Sequence, residues 1–315
     1  MDPRRRVVAR AARVFAVSCV AWLHVAASGC SDESESPDAG EAIRPGSSDD
    51  DSDGGMMGGA SPVGQACTRK SLENTIDDYY AALASHDPSG LATDANVKYT
   101  ENGERLEIGQ GFWQNAGALK FKRSVLDTET CSSVSESVVV DGSDGDGVDR
   151  VYGLRLKSDA GLVTEIETII AYPGDYPFGP EPQAIIDSAS DDWETVLAAD
   201  ERATRGRLTE LIDRYFKLFP RGACGFMQGC ERLENGFAPP GYDCDDLLSC
   251  DMDTDITDID GTMKPRLHVI DVEAGVAVGF TMFMAFTDFH MFKFRDRQVV
   301  GVHAILASAP GSGWD

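Results

Sequence analysis

Two segments of this chain carry the same stripe of apolar positions. In RKSLENTIDDYYAAL, starting at Arg69, they are Leu72, Ile76, Tyr79, Tyr80 and Leu83; in RGRLTELIDRYF, starting at Arg205, they are Leu208, Leu211, Ile212, Tyr215 and Phe216. Both have the spacing of an amphipathic helix. The offsets from the arginine agree as well, with leucine at three, isoleucine at seven and aromatics at ten and eleven. Each helix is followed by Glu-Asn-Gly (101–103 and 234–236), then by VLDTE (Val125–Glu129) or VIDVE (Val269–Glu273), then by LVTEIETII (Leu162–Ile170) or QVVGVHAIL (Gln298–Leu306). Four blocks recurring in one order predict a duplicated domain.

Between the blocks the period changes to two. VKYT alternates ahead of the first Glu-Asn-Gly, and VYGLRLK and LVTEIETII flank the turn SDAG. In the second copy RLHVID turns through VEAG into VAVGFTMFMAF, and FHMFKF turns through RDRQ into VVGVHAIL. A helix followed by long antiparallel strands predicts an α+β class with a curved sheet in each copy. The copies are placed at 67–190 and 191–315. Asn-Gly is a strong hairpin signal because both residues tolerate positive φ. Asn102 and Asn235 are therefore read as turn residues that set hairpin register, which leaves Glu101 and Glu234 at strand ends as candidate ligand-binding groups. Asp127 and Asp271 are read as turn-formers. Trp113, Tyr80, Phe216, Phe280, Met282 and Met284 are read as core.

The N-terminus carries a different pattern. Five arginines fall within MDPRRRVVARAAR, and the apolar run Val14–Ala27 is too short to cross a bilayer comfortably. This is the anatomy of a signal peptide. The following ASGC, Ala27–Cys30, resembles the lipobox of bacterial lipoproteins. That resemblance implies cleavage after residue 29, diacylation of Cys30, and a place in the bacterial cell envelope, at the outer membrane or cell surface. A plain secretory cleavage nearby is the alternative. Residues 30–66, with SSDDDSDGG and MMGGASP, lack the apolar side chains needed to offset ordering entropy and predict a disordered acidic tether.

Charge narrows the partners. The chain carries −25, and loss of residues 1–29, with five arginines and one aspartate, makes it four charges more negative. Such a surface repels nucleic acid and anionic lipid, so membrane contact is expected through the acyl anchor alone. Of eight cysteines, six follow Cys30: Cys67, Cys131, Cys224, Cys230, Cys244 and Cys250. An even set in an exported chain predicts disulfides. If each copy closes its own bridges, Cys67 pairs with Cys131; Cys230–Cys250 and Cys224–Cys244 are the pairing expected in the second copy. The spacing C-x5-C-x13-C-x5-C lacks the tight hooks of a zinc site. Asp251, Asp253 and Asp255 fit the start of a calcium loop, but Ile256 and Thr262 stand where glycine and glutamate are required. No metal or other cofactor is expected.

The order of elements resembles the nuclear transport factor 2-like superfamily, in which a curved sheet wraps helices into a cone with a pocket at its wide end. That superfamily includes ketosteroid isomerase and polyketide cyclases of the SnoaL type. The run YTENG...GQGFW, the EIETI strand, the segment with Trp193, Arg202 and Arg205, and Cys230, Arg232 and Glu234–Gly236 are similar to an uncharacterised family of secreted fungal and bacterial proteins with two fused copies. The resemblance implies two fused cones forming an internal pseudo-dimer and implies no activity.

Within such cones Glu167 and His303, at equivalent positions of the two last strands, are the candidate acid–base residues. His268 and His290 are candidate ligand contacts beside His303, together with Glu234. The expectation is that His303 points into a cavity with Glu234, His268 or His290. No glycine-rich phosphate loop, Gly-x-Ser-x-Gly or His-Glu-x-x-His occurs. The functional expectation is binding of a small apolar or amphipathic ligand or an envelope partner. The alternatives are cofactor-free isomerase, cyclase or dehydratase chemistry, and a purely structural envelope protein.

Overall fold

The first stripe winds into helix α1 (Arg69–Ala84), capped by the Thr68 side chain on the Ser71 amide and buried along Leu72, Ile76, Tyr79, Tyr80 and Leu83. In the computed structural model, residues 67–143, 145–175, 179–190, 192–218, 226–238, 264–295 and 298–314 are described. The leader, Cys30, the tether, Cys224, Cys244, Cys250 and the acidic loop with Asp251, Asp253 and Asp255 lie outside them. After α1 come β1 (Thr93–Glu101), β2 (Glu104–Leu106), β3 (Ala116–Asp127), β4 (Ser132–Asp141), β5 (Val148–Asp159) and β6 (Leu162–Ile170). A short helix α2 (Pro182–Asp187) leads to α3 (Arg205–Leu218), then β7 (Phe226–Glu234), β8 (Leu267–Asp271), β9 (Val276–Phe283), β10 (Phe286–Arg295) and β11 (Gln298–Ser308).

Two mixed sheets result, ordered β2-β1-β6-β5-β4-β3 and β7-β11-β10-β9-β8. Each is an antiparallel meander whose last strand also pairs in parallel with the strand that precedes Glu-Asn-Gly: β1 with β6, and β7 with β11. The parallel pair explains the repeated tripeptide. Asn102 has φ 45° and Gly103 φ 73°, Asn235 φ 52° and Gly236 φ 83°, so both turns are left-handed. Each asparagine then docks onto the last strand. The Asn102 amide donates to the Ile170 carbonyl at 3.0 Å and accepts its N–H at 2.7 Å; Asn235 does the same to Leu306 at 3.0 and 2.8 Å. The side chain thus continues the parallel ladder where the backbone has turned away.

Three apolar clusters divide the molecule. One lies between α1 and the inner face of the first sheet, around Tyr79, Trp113, Tyr152 and Ile166. Another lies between α3 and the second sheet, around Leu208, Ile212, Tyr215, Phe216 and Phe292. Between the sheets, Val125, Val134, Val138, Val151 and Ile169 meet Val269, Val278, Phe280, Phe289, Met291 and Ile305. Both faces of each sheet are therefore buried. Gly153 makes room for a side chain of the other sheet, since a Cβ there would lie 2.3 Å from the Phe289 ring.

Two reciprocal clamps join the halves. Arg205 at the start of α3 makes a bidentate pair with Asp127 of the first sheet, at 2.9 and 2.7 Å. Arg69 at the start of α1 donates to Asp271 of the second sheet at 2.6 Å. Each aspartate also accepts a backbone N–H from the opposite half, Ile270 to Asp127 and Leu126 to Asp271. They close local turns as well. A disulfide joins Cys67 to Cys131, tying the start of α1 to the β3–β4 turn. Cys230 is also disulfide-bonded, to a partner outside the described residues.

The strand boundaries differ from the pattern at one point. VAVGFTMFMAF is not one strand: the chain turns at Met284, which has φ 56° and is 66% exposed, so Met284 is not core. Met282 is half-buried, and Trp113, Tyr80, Phe216 and Phe280 are buried.

Candidate functional site

Strand register superimposes the two halves residue by residue. Ile170 and Leu306, the asparagine partners, stand opposite Tyr152 and Asp288 on the neighbouring strands. Thr168 and Ala304 stand opposite Leu154 and His290. On the parallel side, Tyr99 and Arg232 pair with Ile166 and Val302. Glu101 and Glu234 then pair with Thr168 and Ala304. Tyr79 and Tyr215 occupy the same turn of the two helices. Five equivalent positions thus converge inside each half.

In the first half they form a closed cluster of phenols around one carboxyl group. The Tyr79 and Tyr152 hydroxyls are 2.6 Å apart, and Tyr99 donates to Glu101 at 2.7 Å. The Phe112 N–H also binds Glu101, at 2.8 Å. Burial pushes the phenols well above their ordinary pKa, and burial raises Glu101 too, against its two hydrogen bonds. Beside them Tyr80 meets Ser135 and Ser137 at 2.7 and 2.8 Å.

The second half places ionisable groups at the same positions. Arg232 donates through one Nη2 to Glu234 at 2.6 Å and to the Tyr215 hydroxyl at 3.4 Å. His290 Nδ1 lies 2.9 Å from Asp288. The imidazole is walled by Tyr215, Phe216 and Phe292, with ring centroids at 5.1, 5.4 and 6.1 Å. Asp288, Glu234, Arg232 and His290 are all buried. Burial raises the Asp288 carboxyl, with His290 and Arg232 opposing and Glu234 adding to the rise. Burial also raises Tyr215, which therefore keeps its proton. An Asp–His contact next to an Arg–Glu pair can hold a proton, pass it to a bound molecule, and orient a polar group.

Of the residues singled out in the sequence, Glu234 and His290 come together here. Glu101 occupies the matching place in the first half. His268 does not join them: it lies on β8, at the opposite edge of the sheet from β7, and its Nε2 is 3.0 Å from Asp213. His303 and Glu167 face the other half. His303 Nδ1 is 2.9 Å from Glu136 on β4 and 3.0 Å from Arg123 on β3, and Nε2 is 3.2 Å from Glu231. Glu167 accepts from Arg155 at 3.1 Å and from Arg266 of the second half. The arrangement that would have brought His303 beside Glu234, His268 or His290 does not form, because alternate residues of β11 face opposite ways and position 303 falls on the interface side.

Asp288 and Tyr215 were missed as site residues. Their signal was present, since FTDFHMF puts Asp288, His290 and Phe292 on one face, and the repeat aligns Asp288 with Tyr152. An open groove of about 380 Å³ runs along the exposed face of α3, between Gly206, Glu210, Asp213, Arg214 and Lys217. It faces solvent on the side of the helix opposite the cluster. Among the described residues no group of three or more histidine, cysteine or acidic side chains is placed to hold a metal ion. No helix among them is long and apolar enough to cross a membrane.

A family model described as a domain of unknown function, DUF8021, matches residues 201–306. No curated protein matches the chain. Among solved structures, a protein of unknown function with a cystatin-like fold from Methylobium petroleophilum is 15% identical, with a TM-score of 0.30 over 36% of this chain and 84% of its own. A provisional polyketide cyclase from Xanthomonas campestris is 16% identical, with a TM-score of 0.28 over 32% and 90%. A protein of unknown function from Burkholderia xenovorans, called NTF-2 like, is 12% identical, with a TM-score of 0.26 over 34% and 88%.

Proposed function

We propose that this is an exported, lipid-anchored protein built as a pseudo-dimer of two cone-like halves, the second of which binds a small amphipathic molecule while the first serves as scaffold. The observation that carries the reading is that, beside a glutamate both halves keep (Glu101 and Glu234), Tyr99, Tyr152 and Leu154 of the first half give way to Arg232, Asp288 and His290 at the same buried positions. Burying four ionisable groups is costly unless each is paired. Retaining Arg232, Asp288 and His290 where tyrosine or leucine stands next door points to use. The aromatic wall of Tyr215, Phe216 and Phe292 would take the apolar part of the ligand, and the polar groups would take its head.

A second reading is favoured by the Asp288–His290 contact: proton transfer on the bound molecule without a cofactor, with His290 as the base and Asp288 as its orienting partner. Native mass spectrometry of the intact protein extracted from membranes tests binding. A retained small molecule that disappears in His290→Gln supports it, and a mass equal to the polypeptide and its acyl chains alone overturns it. The anchor has its own test, because Cys30→Ala is expected to move the protein from the detergent phase to the aqueous one.

A further inference from the structure

Another buried ionisable group lies away from that site, between the halves. His303 is fully buried and touches a carboxylate at each ring nitrogen: Glu136 of the first half at Nδ1 (2.9 and 3.1 Å) and Glu231 of its own half at Nε2 (3.2 Å). Arg123 completes the group. Its Nη1 donates to Glu136 at 2.9 Å and lies 3.0 Å from His303 Nδ1, while its Nη2 is held by the Ser188 carbonyl and hydroxyl at 2.6 and 3.1 Å. Trp193 covers both, with its ring 4.7 Å from the imidazole and 5.0 Å from the guanidinium. Behind Trp193, Lys293 donates to the Trp193 and Ala274 carbonyls.

A ring with a carboxylate at each nitrogen is matched only by the doubly protonated form, since both nitrogens must then donate. Burial disfavours that charge, but Glu136 and Glu231 outweigh burial and Arg123 together and raise the imidazole above its ordinary value. For Glu136, burial is outweighed in turn by His303 and Arg123, and its carboxyl is lowered. A second hydrogen-bond pattern uses the same atoms. If Nδ1 loses its proton, it can accept from Arg123, and Nε2 still donates to Glu231.

We propose that His303, Glu136, Glu231 and Arg123 form a proton-operated latch between the halves. With the imidazole charged, the bond across the interface joins a cation to an anion. With the imidazole neutral, that bond becomes a neutral acceptor for Arg123, and the buried group carries one negative charge in excess. The stability contributed by His303 is fully present below about 6.5, the ordinary imidazole value, and is lost as pH rises through its higher folded value. The contribution of Glu136 is present above the ordinary carboxylate value and is lost as pH falls through its lower folded one. The latch is therefore closed below the ordinary imidazole value and loosens as pH rises through the higher folded one.

The test is an NMR titration of the intact protein with 13C-labelled histidine, the His303 signal being identified by replacing His24, His86, His268 and His290 singly. His303 is expected to titrate above its ordinary value, with Glu136→Gln moving the titration down. Burial holds the Lys293 ammonium down to about 7, which pushes stability the other way as pH rises, so the two profiles are compared: wild-type thermal midpoints should fall relative to those of His303→Gln as pH rises and His303 deprotonates. A wild-type His303 that titrates at or below about 6.5 overturns the latch and needs no folded variant. So does a His303→Gln protein that keeps the wild-type pH profile or loses the same stability at every pH, which would mark the residue as merely structural.

Discussion

The two interiors show how one set of positions can be used in opposite ways. Tyr79, Tyr99, Tyr152 and Leu154 close the first half with neutral phenols whose hydroxyls satisfy one another or Glu101. Tyr215, Arg232, Asp288 and His290 fill the second with an Arg232–Glu234 ion pair and an Asp288–His290 hydrogen bond. Hydrogen-bonded phenols are cheap to bury, whereas ion pairs recover their desolvation only with good geometry. The framework around these interiors follows one plan in both halves. The asparagine docking and the arginine–aspartate clamps each occur twice; the asparagine contacts agree to within 0.1 Å, whereas one clamp is a fork and the other a single contact.

The largest effect is expected where that framework crosses between halves. Asp127→Ala would leave the Arg205 guanidinium without its bidentate partner and the Ile270, Glu129 and Thr130 amides without an acceptor. Breaking a buried pair from one side costs about 3–5 kcal/mol. Asp271→Ala should cost less, since Arg69 makes one short contact rather than a fork. Chemical denaturation measures both. Burial would raise the Asp127 carboxyl, but Arg205 and the backbone donors hold it below its ordinary value. Its contribution should therefore be lost only as pH falls through that lowered value, and Asp127→Ala should remove this part of the acid sensitivity. Equal losses from the two alanines would break the ranking.

The repeated asparagines give a smaller and more symmetrical test. Asn102→Ala and Asn235→Ala each remove two bonds to the last strand and place alanine at positive φ. About 2–3 kcal/mol is expected from each, counting about 1 kcal/mol per hydrogen bond and a similar amount for the backbone. Asn→Gly should recover the backbone part alone. If Asn235→Ala is tolerated while Asn102→Ala is not, the framework is less evenly shared than the contacts imply.

Much of this framework was legible in the sequence, because it rests on spacing. The arginine offsets, Glu-Asn-Gly and the Val-x-Asp blocks marked the duplication, and the two aspartates could be placed at turns. Their partners could not, since Arg205 and Asp127 are 78 residues apart and meet only when the sheets pack. The site was half legible. Glu234 and His290 were singled out, but so was His303, and nothing in the pattern separated them. Alternation tells inside from outside only when one face is wet. Here both faces are buried: β4 is covered along nearly its whole length, with serines and Glu136 among its valines. Polar residues then mark neither face, and only the packed sheets decide that His290 looks toward α3 and His303 toward the first half.

The smallest expected effect tests how far the halves have diverged where they touch. Gly153 pairs with Ile169, and Phe289 pairs with Ile305, so the two residues occupy the same position in the repeat and face each other across the interface. Two phenylalanines there would collide, and two glycines would leave a void, so the contact works only between unlike halves. Gly153→Ala puts a methyl group 2.3 Å from the Phe289 ring and should cost about 1–3 kcal/mol by overpacking. Phe289→Leu alone should also destabilise, through lost contact area and a partial cavity. Together they should cost less than the sum, because the shorter leucine makes room for the methyl group. The coupling should exceed about 0.5 kcal/mol, the level above which residues in contact separate from independent ones. Strict additivity would mean that the sheets adjust around position 153 independently of Phe289, and the knob-and-hole fit between the halves would have to be given up.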